Sequence, residues 1–206
     1  MSGNQSQKGA LPYNMSIEYY QRNAPSFFEG TVHVDMTNIY QHFTQHLSDN
    51  AVILDAGCGS GRDTKAFIDM GYQVDAFDAS SKLAELASAY TNTNVKVSTF
   101  DQVTDDKKYD GIWCCASLLH VPKQDLLQTM RQLAKALKPN GIMYVSFKYG
   151  TEQRVKDGRL FTDINENDLK QLLCKVDNIC LMHQWMTEDN RPSSHEKWLN
   201  ATLLKK

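Results

Sequence analysis

Between positions 51 and 148, short unbroken apolar runs alternate with stretches in which apolar side chains recur every three or four residues. The first run, Ala51 to Asp55, reads AVILD and leads into glycines. With no polar residue inside it, such a run fits a strand buried on both faces. Helical spacing follows at about Arg62 to Met70, then strand YQVDAFD, then a helix from Ser80 carrying Leu83, Leu86, Ala87 and Tyr90, then strand NVKVSTF. Strand YDGIWCCA comes next, followed by a long helix with Leu126, Leu127, Met130, Leu133, Ala134 and Leu137 on one face. Pro139-Asn140-Gly141 stops that helix ahead of the buried strand IMYVSF. Strand alternating with helix predicts an α/β fold built on parallel strands.

The two ends break this rhythm. Residues 1–13 carry few apolar groups and read as a flexible tail. From Ser16 to about Leu47 the spacing is helical, with Ile39, Phe43 and Leu47 four apart and Pro25 suited to a first helical turn, so two or three short helices precede the first strand. After a helix near Glu166 to Cys174, the runs ICLMHQWMT and KWLNATLLK are joined only by EDNRPSSHE. That link is too short for a crossover helix and predicts an antiparallel hairpin at the sheet edge. The expected organisation is one domain over 14–206, with a helical cap at 14–48 and a core at 51–206.

Composition narrows the function classes. The 206 residues carry a net charge of −2, so no general basic field draws the chain to polyanions. No run approaches the roughly 20 apolar residues of a membrane span, and MSGNQSQKGALP lacks a signal-peptide core. A cytoplasmic protein without membrane or nucleic-acid partners is expected, with monomer and dimer both open. The five cysteines, Cys58, Cys114, Cys115, Cys174 and Cys180, have no zinc-ligand spacing and read as buried reduced thiols. His42 and His46, four apart on a helix, make only a weak metal pair, and no metal site is predicted.

The turn after the first strand, Asp55-Ala56-Gly57-Cys58-Gly59-Ser60-Gly61-Arg62-Asp63, carries the chemistry. Glycines there allow positive φ and let a ligand lie against backbone N–H groups at a helix start. Dinucleotide sites use G-x-G-x-x-G, whereas this turn has G-x-G-x-G with an aspartate before it, a better match to a cationic ligand end than to a diphosphate. Asp78 ends the second strand, where a carboxylate can accept from both ribose hydroxyls, although a helix cap at Asp78 or Ser80 explains the same residues.

These residues resemble motif I of the class I S-adenosylmethionine-dependent methyltransferases, over about Val52 to Phe147. Tyr19-Tyr20-Gln21-Arg22-Asn23-Ala24 and GIWCCASLLHVP look closest to small bacterial methyltransferases related to tellurite-resistance proteins. The resemblance implies a Rossmann-like fold with a seven-stranded mixed sheet, six strands parallel and one antiparallel, helices on both faces and N-terminal helices over the cofactor. It implies S-adenosylmethionine as cofactor, S-adenosylhomocysteine as product, and cofactor contacts from Tyr20, Asn23, Asp55, Gly57, Gly59, Gly61, Arg62, Asp78, Ala79, Ser80, Phe100, Asp101, Ser117 and Leu118.

His120, at the carboxyl end of the fourth strand, is the candidate general base, with a packed or capping histidine as the alternative. Lys148, Tyr149, Arg159, Arg191 and Trp198 are the candidate acceptor-binding residues, since guanidinium groups among aromatics suit an oxyanion; solvated loop charge explains them too. The chain lacks the Asp/Asn-Pro-Pro-aromatic signature of amino-directed DNA methyltransferases, and its Cys114 and Cys115 follow Trp113 rather than proline. The expected function is methyl transfer to a small acceptor, anionic if the arginines are engaged. A protein or RNA methyltransferase, a non-catalytic cofactor-binding regulator and an NAD-dependent oxidoreductase are the alternatives.

Overall fold

A computed structural model describes residues 12–190 and 196–206. The chain opens with α1 (Pro12–Thr31) and α2 (Thr37–Thr44), then alternates β1 (Val52–Ala56), α3 (Arg62–Asp69), β2 (Gln73–Asp78), α4 (Ser81–Thr91) and β3 (Val95–Val97). It continues through β4 (Tyr109–Cys114), α5 (Lys123–Ala136), β5 (Leu137–Lys148), β6 (Gln153–Lys156), β7 (Arg159–Thr162), α6 (Glu166–Leu173), β8 (Ile179–Glu188) and β9 (Lys197–Lys205). Seven strands form one sheet in the order β3-β2-β1-β4-β5-β9-β8, and β6 pairs only with β7. Neighbours from β3 to β5 pair in parallel, while β9 runs antiparallel to both β5 and β8. Six strands therefore point one way and β9 the other, as the sequence predicts.

The central strands read as apolar runs because both faces are covered. Ile53, Leu54, Ile112, Trp113, Met143 and Val145 are all buried. One face holds α5 and α6 through Leu126, Met130, Leu133 and Leu169. On the other, Tyr40 and Phe43 of α2 and Phe67 of α3 pack around Trp113, which stacks on Tyr144 at 3.9 Å between ring centres.

Three expectations change. Pro25 lies inside α1, a single 20-residue helix, rather than at a helix start. Its missing N–H leaves the Gln21 carbonyl without a helical partner, a defect that an exposed position tolerates. The segment around Arg154 and Arg159 is not a loop: it is the β6–β7 hairpin, turning at Asp157 (φ 51°) and Gly158 (φ 74°). Cys174 is exposed, although Cys58 and Cys114 are buried and all five cysteines are free. The proposed tail falls largely outside the described residues.

Candidate active site

The carboxyl ends of β1, β2 and β4 open on a cavity of about 380 Å³. Ligands of open α/β sheets bind on this side, at the point where the chain leaves β1 for neighbours on either flank, and the volume suits a small molecule. The floor is the turn after β1. A Cβ on Gly57 (φ 81°) would sit 2.6 Å from the Ser117 Cβ, and one on Gly59 (φ 57°) 3.1 Å from the Phe27 ring. Bare backbone is therefore required at Gly57 by space as well as by φ, and at Gly59 chiefly by φ, with the Phe27 ring close against it. Gly61 has another role: its Cβ would meet Ala87 and Thr91 at 3.0 Å, so it seats α3 on α4 outside the cavity.

Asp78 stands at the side of this floor. One of its carboxylate oxygens accepts from the Gly59 N–H at 2.9 Å and the other from the Ser80 N–H at 2.8 Å. Burial pushes its carboxyl up to about 6, and the two N–H donors pull the other way. Ser80 in turn caps α4, accepting from the Leu83 N–H at 3.2 Å. The cap reading and the binding reading of this corner thus describe different atoms of one arrangement. Ala79, Ser80 and Phe100 line the cavity beside Asp78, and so does Ser117, whose buried hydroxyl has no hydrogen-bond partner.

Across the floor, Asp63 accepts from Arg62 Nε at 2.6 Å, Arg62 Nη2 at 3.0 Å, Tyr40 Oη at 2.6 Å and Trp113 Nε1 at 2.8 Å. Burial alone would raise its carboxyl, but the Arg62 guanidinium and these donors hold it below the usual carboxylate range. Arg62 and Asp63 both face the cavity.

The roof comes from α1 and the hairpin. Tyr20 and Phe27 of α1 and Arg159 and Phe161 of β7 line the cavity together with His120, Lys148 and Trp198. Tyr20 Oη lies 2.8 Å from His120 Nε2, and His120 Nδ1 lies 2.6 Å from the Leu160 carbonyl. Burial drives the imidazole down to about 4 and the Tyr20 phenol up to about 12. Lys148 donates to Glu196 at 2.8 Å, and Arg159 lies 3.7 Å from Asp157 and over the Tyr19 ring at 4.3 Å.

Several sequence-predicted residues do not reach the cavity wall. Asp55 is buried behind the turn, where it accepts from Thr64 at 2.5 Å and burial raises its carboxyl. Asn23 donates back to the Tyr19 carbonyl at 2.8 Å. Asp101 is exposed and bound by Thr99. Leu118 is buried in the core beneath its neighbour Leu119, which does line the site. Tyr149 is exposed and donates to Glu166 at 3.1 Å. Arg191 falls outside the described residues. Lining residues not assigned to the site from sequence include Ser16, Ile17, Phe27, Asp63, Cys115 and Phe161. Among the described residues, no three His, Cys, Asp or Glu side chains are placed to hold a metal ion.

Residues 53–141 match the family model described as Methyltransferase domain. Residues 53–141 form a methyltransferase domain within the Rossmann-like sheet. The ubiquinone biosynthesis O-methyltransferase of Rickettsia akari (strain Hartford) is 36% identical over 113 residues, covering 52% of this chain and 44% of that relative. A second such enzyme, from Rickettsia bellii (strain OSU 85-389), is 32% identical over 120 residues, covering 55% and 49%. The chain spans about half the length of these curated relatives. Among solved structures, the 1,6-didemethyltoxoflavin-N1-methyltransferase of Burkholderia thailandensis, with bound 1,6-didemethyltoxoflavin and S-adenosylhomocysteine, superposes with a TM-score of 0.75. It is 22% identical, and the match covers 100% of this chain and 93% of that one, so the likeness is one of fold. α1 and the β6–β7 hairpin lie outside the span of the family model.

Proposed function

We propose that the chain transfers a methyl group from S-adenosylmethionine to a small-molecule acceptor, releasing S-adenosylhomocysteine. The observation that carries this reading is the corner formed by Gly57, Gly59 and Asp78: backbone with no room for a side chain, beside a carboxylate already fixed by two N–H donors. The donor set fits the cofactor. The Asp78 oxygens have lone pairs left for two ribose hydroxyls, Phe100 offers an apolar edge for the adenine, and Ser117 supplies an unpartnered buried hydroxyl. Arg62, steadied by Asp63, supplies a cation for the cofactor's carboxylate. When bound, the cofactor contributes a methyl group on a positively charged sulfur. The protein's share is to align the acceptor with that carbon, exclude water and handle the acceptor's proton.

We read residues 14–206 as one working unit with 14–48 as its cap, and place it in the cytoplasm, where five free thiols are at home. An anionic group on the acceptor is accommodated next to Arg159, whose Nε is buried without a hydrogen-bond partner. Calorimetry of S-adenosylmethionine, S-adenosylhomocysteine and NAD against the purified protein tests the reading. Micromolar binding of the first two and none of NAD is expected, with Asp78→Ala weakening S-adenosylhomocysteine about 100-fold by removing two charge-assisted hydrogen bonds. Binding of NAD alone, or unchanged affinity in a folded Asp78→Ala protein, overturns it.

A further inference from the structure

Resting on the methyl-transfer reading, we infer that Tyr20 is the group that takes the acceptor's proton, that His120 works only through Tyr20, and that the acceptor atom is therefore an acidic hydroxyl, phenolic or enolic. The geometry orients the pair. His120 Nδ1 lies 2.6 Å from the Leu160 carbonyl, which can only accept, so Nδ1 carries the ring proton. Nε2 then has a lone pair, and Tyr20 Oη, 2.8 Å away, donates to it. The phenol's proton is committed to His120, so its oxygen accepts hydrogen bonds on the cavity side, where the Arg159 guanidinium also faces it. A protic nucleophile fits such an oxygen; a group lacking a proton does not.

Three elements hold this arrangement: α1 supplies Tyr20, the turn after β4 supplies His120, and β7 supplies both the Leu160 carbonyl and Arg159. Both ring nitrogens of His120 have partners, Nδ1 the Leu160 carbonyl and Nε2 the Tyr20 hydroxyl, so its lone pair reaches the acceptor through the phenol. During transfer the acceptor O–H proton passes to Tyr20 Oη as the phenol's own proton passes to His120 Nε2. The acceptor oxygen forms the new O–CH3 bond, and the C–S bond breaks with its electron pair staying on sulfur. The imidazolium then returns its proton to solvent through the same phenol.

The groups facing His120 are Tyr20, Arg159 and Lys148, the last two paired with Asp157 and Glu196. Burial and these cations make the imidazole a weak base, neutral throughout the ordinary pH range. Arg159, whose Nε is buried without a hydrogen-bond partner beside Tyr20, steadies the oxygen anion that forms, and a phenol or enol gives such an anion far more readily than an alkanol. Hence the hydroxyl class.

The test uses the full chain, first titrated with S-adenosylhomocysteine. Failure to bind overturns the underlying methyl-transfer reading. With binding established, methyl transfer from S-adenosylmethionine is measured to catechol, whose hydroxyls keep their protons at neutral pH, and to benzyl alcohol, a ring of similar size bearing an alkanol. Transfer to the first and none to the second is expected. Tyr20→Phe should lower kcat by about 100-fold or more with KM changed less than about threefold, the range of a lost proton-transfer group. His120→Gln keeps an oxygen for Tyr20 to donate to but cannot take a proton. It should lower kcat similarly and abolish the acid limb of the kcat profile, which in the parent falls only near pH 4. Independently of turnover, nitrogen-15 spectra of the complex with S-adenosylhomocysteine should show His120 as the neutral Nδ1–H tautomer. An Nε2–H tautomer, equal transfer to the alkanol, unchanged kcat in folded Tyr20→Phe, or no transfer to catechol despite cofactor binding overturns the inference and leaves the methyl-transfer reading standing.

Discussion

Asp78 carries opposed demands, and the conflict is measurable. Two N–H donors favour its ionised form, as would the proposed cofactor ribose, whereas burial resists, and without ligand the balance lies near pH 6. Cofactor binding favours the ionised form, so S-adenosylhomocysteine affinity should rise with pH and level off above about 6, weakening up to tenfold per unit below. Calorimetry at pH 5, 6 and 7 reads this directly, and Asp78→Asn should abolish the slope. Glycines in the same turn differ in what they tolerate. Gly57→Ala puts a methyl 2.6 Å from the Ser117 Cβ at φ 81°, and should cost about 2 kcal/mol or more in a urea melt. Gly30→Ala, with nothing within 4 Å in α1, should be neutral or add about 0.5 kcal/mol. The glycine spacing and Asp78 were legible in the sequence because each answers to one local requirement. Asp63 was not: it belongs to the same motif, but its role depends on Tyr40 and Trp113, distant in sequence and brought to it only by folding. Asp63→Ala would strand the Arg62 charge, a loss of about 3–5 kcal/mol in denaturant melts.

Among the elements, the parallel strands declared themselves because burial on both faces leaves no polar alternation. The β6–β7 hairpin did not, since four-residue strands with mixed exposure carry little hydrophobic pattern. Its signal was Asp157-Gly158, the two-residue turn that takes positive φ at both positions and matches strand twist. α1 shows a similar gap. Pro25 argued for a boundary, but the helix continues past it, joined to its surroundings by Gln21 with Ser80 and Ser81 and by Ser16, whose hydroxyl accepts from the Leu160 N–H at 2.9 Å. Ser16→Ala unlatches α1 from β7. It should lower stability by only about 1 kcal/mol while speeding S-adenosylhomocysteine release several-fold in stopped-flow displacement.

For the molecule as a whole, the buried Asp78 carboxyl makes a trade. Its folded pKa, about 6, lies above the ordinary value of 3.8, so the folded state binds more protons between those limits. Stability from this group is present below about pH 4 and is lost as pH rises through 6. His120 has the opposite sign: depressed from 6.5 to about 4, it costs stability as pH falls through that window. The two largely cancel between pH 4 and 6. Ligand-free Asp78→Asn removes the Asp78 contribution and leaves every other group as in the parent, so the variant's stability relative to the parent should increase from pH 4 to 6 by up to about 3 kcal/mol, one unit being about 1.4. A parallel shift of both pH curves in thermal melts would contradict this.

α1 contributes no residue to the three buried apolar clusters, yet it spans the cavity with Tyr20 and Phe27. A roof fastened by hydrogen bonds and ring edges, over a floor welded into the sheet, divides the molecule into a rigid half and a half that can lift. Release of S-adenosylhomocysteine past this helix should slow in proportion to added solvent viscosity, while the single-turnover rate of methyl transfer within the loaded complex stays constant.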